Sequence, residues 1–386
     1  MRKKVLFLIG NLESGGVSKS MVSLLNAIDL KKYDVSLWIG QPRGIFYSML
    51  PNNITIVSDK RISWLTDGPR GLLPLLKSGH LLLFVGSLLR LLLSQIDKGY
   101  AGWWLSRLMP VINDAEYDMI VDYNGQHQLY YMVDKLRGKK KITFFHSDYS
   151  KWAFYFKMDK RYYPKVDYIF TISTICVQSL KTYFPGEADK IKIMENITSP
   201  KLINALSRES INDFSGEGIK ILTIGHTCTL KGSDLAIKAA AIIKSKGIKF
   251  KWYFLGKELE DFHALIEQFN VKDNIVYLGL RANPYPYLKQ ADIYAHPSKF
   301  EGKSIALDEA KILCKPIVVT NFSTVADQFE NRVNASICEM TPESLASAIL
   351  ELIEHESLRW EYSSYLSAHI KDNSKEIEKL YRIIDN

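Results

Sequence analysis

The stretch SRESINDFSGEGIKILTIG, residues 207–225, divides the chain into two parts and decides its fold class. It is polar and rich in serine and glycine up to residue 218, and it then becomes an apolar run typical of a buried strand. One series of such runs precedes it: KKVLFLIG (3–10), YDVSLWIG (33–40), YDMIVDY (117–123), KITFFHS (141–147), VDYIFTIS (166–173) and KIKIMEN (190–196). A second series follows: IKILTIG (219–225), KFKWYFLG (249–256), NIVYLG (274–279), ADIYAHP (291–297) and KPIVVT (315–320).

Helix-like segments separate these runs, and strand-helix alternation indicates parallel sheets covered by helices on both faces. We therefore expect an α/β protein with two doubly wound, Rossmann-like domains facing each other across a cleft. The first domain should occupy residues 1–199 and the second residues 218–365, with a linker at 200–217. Ligands of such folds bind at the carboxyl ends of the strands, so chemistry is expected just after each strand.

The composition favours an anionic partner. Fifty basic against 42 acidic residues give a net charge of +8 over 386 residues, which is compatible with nucleotides, phosphates or acidic membranes. No nucleic-acid-binding module accompanies this charge, so we expect no nucleic acid. The four cysteines form no CxxC pair, and the first apolar run is too short for a signal-peptide core, so a reducing, cytoplasmic setting is expected.

A leucine-rich segment, GLLPLLKSGHLLLFVGSLLRLLL at 71–93, stands out from the rest of the chain. Its charges interrupt it too often for a membrane span. With Trp103 and Trp104 following, and Arg90 and Arg107 nearby, residues 71–110 could lie in a membrane interface with cations towards anionic headgroups. The alternative is a pair of leucine-rich core helices. Both interpretations stay open from the sequence.

Two glycine-containing loops follow the first strand of each series. In the first, Gly15 and Gly16 open a predicted helix, whose amino terminus would offer N–H groups to an anion; the alternative is a plain tight turn. In the second, Gly225 and His226 precede Lys231, which stands just before a helix and could face a diphosphate, unless it is only a solvated lysine. Neither loop has the GxGxxG spacing of a dinucleotide site.

The strongest local signal is PSKFEGKSIALDEAK, residues 297–311. Glu301 lies in a predicted loop and Glu309 in the following helix, with Gly302 allowing a close approach and Ser304 placed to cap that helix. Carboxylates readily accept hydrogen bonds from sugar hydroxyls. No Asp-x-Asp triplet and no zinc spacing occur, so we expect neither a metal nor another cofactor.

His146 ends a strand of the first series, where it is either a catalytic group or a structural hydrogen-bonding residue. Together with the Gly15–Gly16 loop, Asn196, the run from Gly225 to Gly232 and EGKSIALDEA, it gives the chain its resemblance to family-4 glycosyltransferases, which are retaining enzymes of the GT-B fold. The stretch from residue 283 to 329 looks especially like bacterial members that build capsular, lipopolysaccharide or other surface glycans.

The resemblance implies a nucleotide-sugar donor, by default a UDP-sugar, and a glycan or lipid-linked saccharide acceptor. Glu309 would bind the ribose, Glu301 the donor sugar and Lys231 the diphosphate, while His146 would lie beside the sugar at the reacting centre. The implied catalytic residues are thus His146, Glu301 and Lys231. The implied donor-binding set adds Gly15, Gly16, Gly225, His226, Gly302, Lys303, Ser304 and Glu309. The resemblance also implies that a carboxyl-terminal helix at 366–386 crosses back onto the first domain.

Two positions depart from the family pattern. Many members have arginine where His226 stands, and EGKS puts the cation Lys303 at the donor loop, where it could touch phosphate or an anionic acceptor. A lipid-linked acceptor would favour peripheral docking of residues 71–93 on the cytoplasmic face of the plasma membrane. Two other functions remain open, a GT-B nucleotide-sugar epimerase and a non-enzymatic sugar-binding protein.

Overall fold

A computed structural model describes residues 2–13, 15–111 and 115–386 of the chain. The chain divides into two units. The first contains residues 1–197 and 374–386, and the second contains residues 198–373. The described part of each unit is built around one parallel sheet.

The sheet of the first unit has the strand order β3-β2-β1-β4-β5-β6-β7. Its strands are β1 (Lys3–Ile9), β2 (Tyr33–Ile39), β3 (Thr55–Val57), β4 (Tyr117–Asp122), β5 (Gly138–Phe145), β6 (Tyr168–Thr171) and β7 (Ile191–Ile193). Successive residues of β1 serve different cores, since Phe7 packs on one face of the sheet and Leu6 and Leu8 on the other. Burial of both faces is why these strands are continuous apolar runs rather than alternating ones.

Eight α-helices in the described part of the first unit precede the unit boundary. They are α1 (Gly16–Ala27), α2 (Lys60–Thr66), α3 (Leu72–Lys77), α4 (Leu81–Ile96), α5 (Lys98–Leu108), α6 (His127–Lys135), α7 (Phe156–Tyr162) and α8 (Thr174–Tyr183). The leucine-rich segment thus forms α3 and α4, and α4 packs against α5. No helix among the described residues combines the length and hydropathy that crossing a bilayer requires.

The second unit has the strand order β10-β9-β8-β11-β12-β13. The strands are β8 (Ile219–Ile224), β9 (Phe250–Leu255), β10 (Ile275–Gly279), β11 (Ile293–His296), β12 (Ile317–Thr320) and β13 (Ser336–Cys338). The helices are α9 (Pro200–Leu206), α10 (Ser233–Ser245), α11 (Phe262–Gln268), α12 (Tyr285–Gln290), α13 (Ile305–Ile312), α14 (Pro342–Glu354) and α15 (Glu356–Ala368). In both sheets the strand order reverses beside the first strand, at β1/β4 and at β8/β11, and this switch point is where doubly wound folds bind ligands.

Two segments differ from the expected layout. Residues 200–217 are not linker throughout, because α9 forms there and Ile203 packs with Tyr285 and Ile312 of the second unit. Residues 366–386 are not one helix, because α15 ends at Ala368 and a further helix, α16 (Glu378–Asp385), follows. α16 buries Leu380 and Ile384 in a core of the first unit.

Candidate functional site

Two loops of the second unit meet at the switch point of its sheet. The first follows β8 and carries Lys231, and the second follows β11 and carries Glu301. The backbone N–H of Lys299 donates to the carbonyl of Leu230 at 3.0 Å, which ties the loops together. Gly232 has φ 70°, and a Cβ there would lie 1.8 Å from the carbonyl oxygen of Pro297. Only glycine allows this approach without a shift of the backbone.

Glu301 is the centre of a partly buried ionic cluster. Its Oε1 accepts a hydrogen bond from Lys231 Nζ at 2.8 Å and lies 2.9 Å from His296 Nε2. The other ring nitrogen of His296 lies 3.2 Å from the hydroxyl of Tyr294. Burial alone would raise the pKa of Glu301, but the charges of Lys231 and His296 and their hydrogen bonds outweigh burial and lower this pKa to about 2. Glu301 is therefore a carboxylate at neutral pH.

Glu309 lies on α13 and is 1% exposed. Its Oε1 accepts a hydrogen bond from the hydroxyl of Tyr285, on α12, at 2.9 Å. Burial is the main reason that the pKa of Tyr285 is raised well above its ordinary value, with a further contribution from Glu309. A buried tyrosine thus holds the carboxylate that the sequence singled out.

The start of α13 differs from the expected capping. Ser304 occupies the N-cap position, but its side chain makes no capping hydrogen bond. Instead, Gln328 spans this position: its Oε1 accepts from the Ser304 N–H at 3.2 Å, and its Nε2 donates to the Ser304 carbonyl and to Asp308. A side chain distant in sequence therefore holds the backbone of the N-cap residue in place. Gly302 is buried and Lys303 half-buried beside it.

His226 and Gly225 line the loop after β8. His226 is half-buried, and its pKa is lowered mainly by burial and then by the charges of Lys231 and Lys257. A Cβ on Gly225 would meet no atom within 4 Å, so no packing inside the unit requires glycine there. In the second unit, the sequence-predicted residues thus lie in the two neighbouring loops after β8 and β11, except Glu309, which lies on α13 directly after the second loop.

In the first unit, Gly15 and Gly16 follow β1, whereas His146 follows β5. Gly15 has φ 92°, a conformation that favours glycine, and is the N-cap of α1, which begins at Gly16. His146 directly follows β5, with its ring centroid 4.5 Å from that of Tyr123. Burial lowers the pKa of His146 to about 4, against smaller opposing contributions from Tyr123 and Asn196. The imidazole is therefore neutral at physiological pH.

Asn196 joins the same neighbourhood through α1. Ser20 donates to Asn196 Oδ1 at 2.7 Å and lies 2.6 Å from the hydroxyl of Tyr123. This network links the helix that begins at Gly16 to the residues around His146. Asn196, three residues beyond the end of β7, thus connects α1 to the neighbourhood of His146.

Two residues of the site were not assigned a role from the sequence. His296 is the last residue of β11, five positions before Glu301, and a strand-end histidine was the available signal. Tyr285 is buried on α12, and its hydroxyl holds Glu309. In the described part of the chain, no group of three or more His, Cys, Asp or Glu side chains is arranged to hold a metal ion.

Comparison with known proteins finds similarity to glycosyltransferases. Residues 208–368 match the family model described as glycosyl transferases group 1. The chain is 25% identical over 213 residues to the N-acetylgalactosamine-N,N'-diacetylbacillosaminyl-diphospho-undecaprenol 4-alpha-N-acetylgalactosaminyltransferase of Campylobacter jejuni, covering 54% of this chain and 57% of that protein. It is 25% identical over 237 residues to the amylovoran biosynthesis glycosyltransferase AmsK of Erwinia amylovora, covering 58% and 57%. The chain thus spans little more than half the length of these relatives.

Solved structures match over the whole chain. HepE of Anabaena, in complex with UDP and glucose, has a TM-score of 0.73 at 16% identity, with 100% of both chains covered. WaaG, a glycosyltransferase involved in lipopolysaccharide biosynthesis, has a TM-score of 0.66 at 14% identity, with 98% of this chain and 99% of that chain covered. Likeness at this identity shows the fold, which is GT-B with two Rossmann-like domains. Residues 208–368, most of the second unit, are therefore the part of the chain that is similar to the glycosyl transferases group 1 family.

Proposed function

We propose that the chain is a retaining, metal-independent family-4 glycosyltransferase. In this proposal it moves a sugar from a nucleotide-sugar donor, a UDP-sugar in the first instance, to a glycan or lipid-linked saccharide in bacterial surface-polysaccharide biosynthesis. The observation that carries it is the Lys231–Glu301–His296 cluster at the switch point of the second sheet. The names of the curated relatives and the UDP complex of a structural neighbour support it.

Lys231 supplies the charge that the reaction needs. Breaking the anomeric C–O bond leaves negative charge on the nucleoside diphosphate, and a preorganised cation lowers the cost of that charge. An ammonium group has three N–H donors, so Lys231 can hold Glu301 and also donate to a phosphate oxygen. Together with backbone N–H groups of the two loops, it provides this stabilisation without a metal.

The two glutamates take up different parts of the donor. Glu301 stays ionised at neutral pH, which makes it an acceptor for hydroxyls of the transferred sugar. Glu309, fixed by Tyr285, accepts from the ribose hydroxyls. His226 and Lys303 lie in the same two loops, where we assign them to the phosphates or, for Lys303, to an anionic acceptor.

The first unit receives the acceptor in this proposal. A neutral imidazole has one N–H donor and one acceptor nitrogen, which suits His146 to position a sugar hydroxyl. The start of α1 at Gly16 offers backbone N–H groups to an anionic part of either substrate. Retention is compatible with same-face attack and with a covalent intermediate.

The test is turnover of UDP- and GDP-sugars, with and without saccharide-lipid acceptors and with a chelator present throughout. We expect acceptor-dependent release of one nucleoside diphosphate, unaffected by the chelator, and a product whose anomeric configuration equals that of the donor. Lys231→Ala should lower kcat by on the order of 100-fold, the effect of removing one preorganised donor. Conversion of the donor sugar without any acceptor would indicate an epimerase instead, and an inverted product would contradict retention.

Lys303 provides a finer test of the donor loop. Lys303→Ala should weaken binding of the donor or lower turnover, because it removes a cation beside Glu301 and Ser304. Calorimetric affinity for the nucleotide sugar, measured beside steady-state turnover, separates the two effects. Unchanged affinity and turnover would exclude Lys303 from the site.

A further inference from the structure

An unusually apolar surface lies on α3 and α4 of the first unit. Nine of the eighteen exposed large hydrophobic side chains among the described residues are on these two helices. They are Leu73, Leu76, Leu81, Leu82, Val85, Leu88, Leu89, Leu92 and Ile96. We name this set the α3–α4 apolar face.

The spacing of these residues makes a stripe along the whole of α4. Leu82, Val85, Leu89, Leu92 and Ile96 follow one another at intervals of three and four, so they share one side of the helix. Leu82 is 87% exposed and Ile96 is 84% exposed, so the stripe is open at both ends. Contiguous exposed apolar surface of this kind marks a site of interaction.

The opposite side of α4 is fixed to the protein. A Cβ on Gly86 would lie 2.5 Å from Leu108 Cδ2, so glycine permits close packing of α4 on α5. The indole N–H of Trp104 donates to the carbonyl of Gly86 at 2.9 Å. Trp103 and Trp104, which the sequence suggested as interfacial residues, therefore support α4 on its packed side, since Trp103 also packs against a core of the unit.

The charged residues within the segment that forms this face are all basic. Residues 68–96 contain no aspartate or glutamate, and Arg70 and Lys77 are exposed within them. Arg90 is half-buried, and Arg107 pairs with Asp134 at 3.2 Å, so neither of these predicted headgroup ligands is presented with the stripe. A long apolar stripe in a segment whose exposed charges are cations is complementary to an anionic lipid surface.

We propose that the α3–α4 apolar face docks the protein on the surface of an anionic lipid bilayer, with the stripe among the acyl chains and Arg70 and Lys77 at the headgroups. A helix lying flat in the interface needs no transmembrane length. This surface goes beyond the proposed transferase activity. It explains how an enzyme with a lipid-linked acceptor would stay beside that acceptor.

The test is co-sedimentation with vesicles of phosphatidylcholine alone or with 30% phosphatidylglycerol, at low and high salt. We expect binding to the anionic vesicles, and high salt should weaken it. The triple variant Leu82→Ser, Leu92→Ser, Ile96→Ser should reduce this binding by on the order of 100-fold. The matched control is Leu259→Ser, an exposed leucine of the second unit. Because all the changes are on exposed side chains, circular dichroism and thermal unfolding should be unchanged.

Separate experiments test the charges of the α3–α4 apolar face and its occupation by a second copy of the chain. Arg70→Glu with Lys77→Glu should abolish the preference for anionic vesicles. Equal binding of the triple variant and the unchanged protein, or no binding at low salt, would overturn the proposal. A dimer in lipid-free solution that the triple variant dissociates, without vesicle binding, would assign the face to a second copy instead. No turnover is measured, so failure here leaves the transferase proposal standing.

Discussion

At the scale of single residues, Glu301 shows how neighbours can outweigh burial. A buried carboxyl should resist ionisation, yet Lys231 and His296 both reach the same oxygen and hold the pKa near 2. The cost of burying the charge is offset by the ion pair and the hydrogen bonds. Loss of either partner would therefore leave a charge in a poorly solvated place.

This balance predicts a pH-dependent stability difference. The ordinary pKa of Glu301 is 4.5 and the folded value is about 2, so its charge stabilises the fold above pH 4.5, and that contribution is lost as the pH falls towards 2. The shift corresponds to about 3 kcal/mol. Denaturant unfolding of Glu301→Gln and the unchanged protein should show the largest gap at pH 7, shrinking below pH 4.5. A gap that does not change with pH would contradict the ionised cluster.

His296 should act by positioning Glu301. His296→Phe removes the ring N–H groups and should lower kcat about 10-fold or more, in line with loss of one hydrogen bond to a charged group. The acidic limb of the kcat–pH profile should also shift to higher pH, because one source of the low Glu301 pKa is gone. His296→Gln keeps an N–H donor and should restore part of both effects. If the two variants lose activity equally and with unchanged pH profiles, His296 is only structural.

The sequence placed Lys231 after a strand, Glu301 in a loop and Glu309 in the following helix, and the structure has them there. Their roles towards a donor came from the resemblance and stay predictions. The sequence could not select Tyr285, whose role depends on two helices that meet only in the folded unit. Gln328 was missed for the same reason, since it lies 24 residues from the backbone groups of Ser304 that it binds.

At the scale of elements, the loop between β8 and α10 depends on its last glycine. Gly232→Ala would force a Cβ against the carbonyl oxygen of Pro297 in a left-handed conformation. We expect a loss of about 2–3 kcal/mol of unfolding free energy and weaker nucleotide binding, because Lys231 moves with the loop. Gly225→Ala is the matched control, since open space surrounds its Cβ. Equal stability of the two variants in urea would show that the close approach is not needed.

The strands were predictable because runs buried on both faces are continuous and apolar. The helices near the boundary between the two units were harder to predict from the sequence. α9 forms in a polar stretch because Ser199 caps it, its side chain accepting from the Leu202 N–H at 3.3 Å, and because Ile203 finds a partner in Tyr285. The break between α15 and α16 depends on contacts of α16 with the first unit, which no local pattern reveals. The exposed side of α4 likewise could not be separated from its packed side until α5 was in place.

At the scale of the whole molecule, the last helix belongs to the first unit although the second unit precedes it in the chain. Ile384 and Leu380 are buried there, and the ring of Tyr381 stacks on Tyr33 at 4.9 Å. Leu380→Ala should cost about 2–5 kcal/mol. Hydrogen exchange should show the lost protection in β1 and β2 and not in β8 to β13. The control is Arg382→Ala, which is exposed on the same helix. Equal loss in both sheets would contradict the division into separately stabilised units.

Nucleotide-sugar recognition by the second unit is the central proposal, and calorimetric titration of nucleoside diphosphates and their sugars tests it most directly. We predict that one nucleoside diphosphate binds without added metal. Affinity should fall at least tenfold in Lys231→Ala and in Glu309→Ala, and remain unchanged in Leu259→Ser. Absence of binding across the panel by a folded protein, or binding that neither site variant weakens, would contradict the assignment of these loops as the donor site.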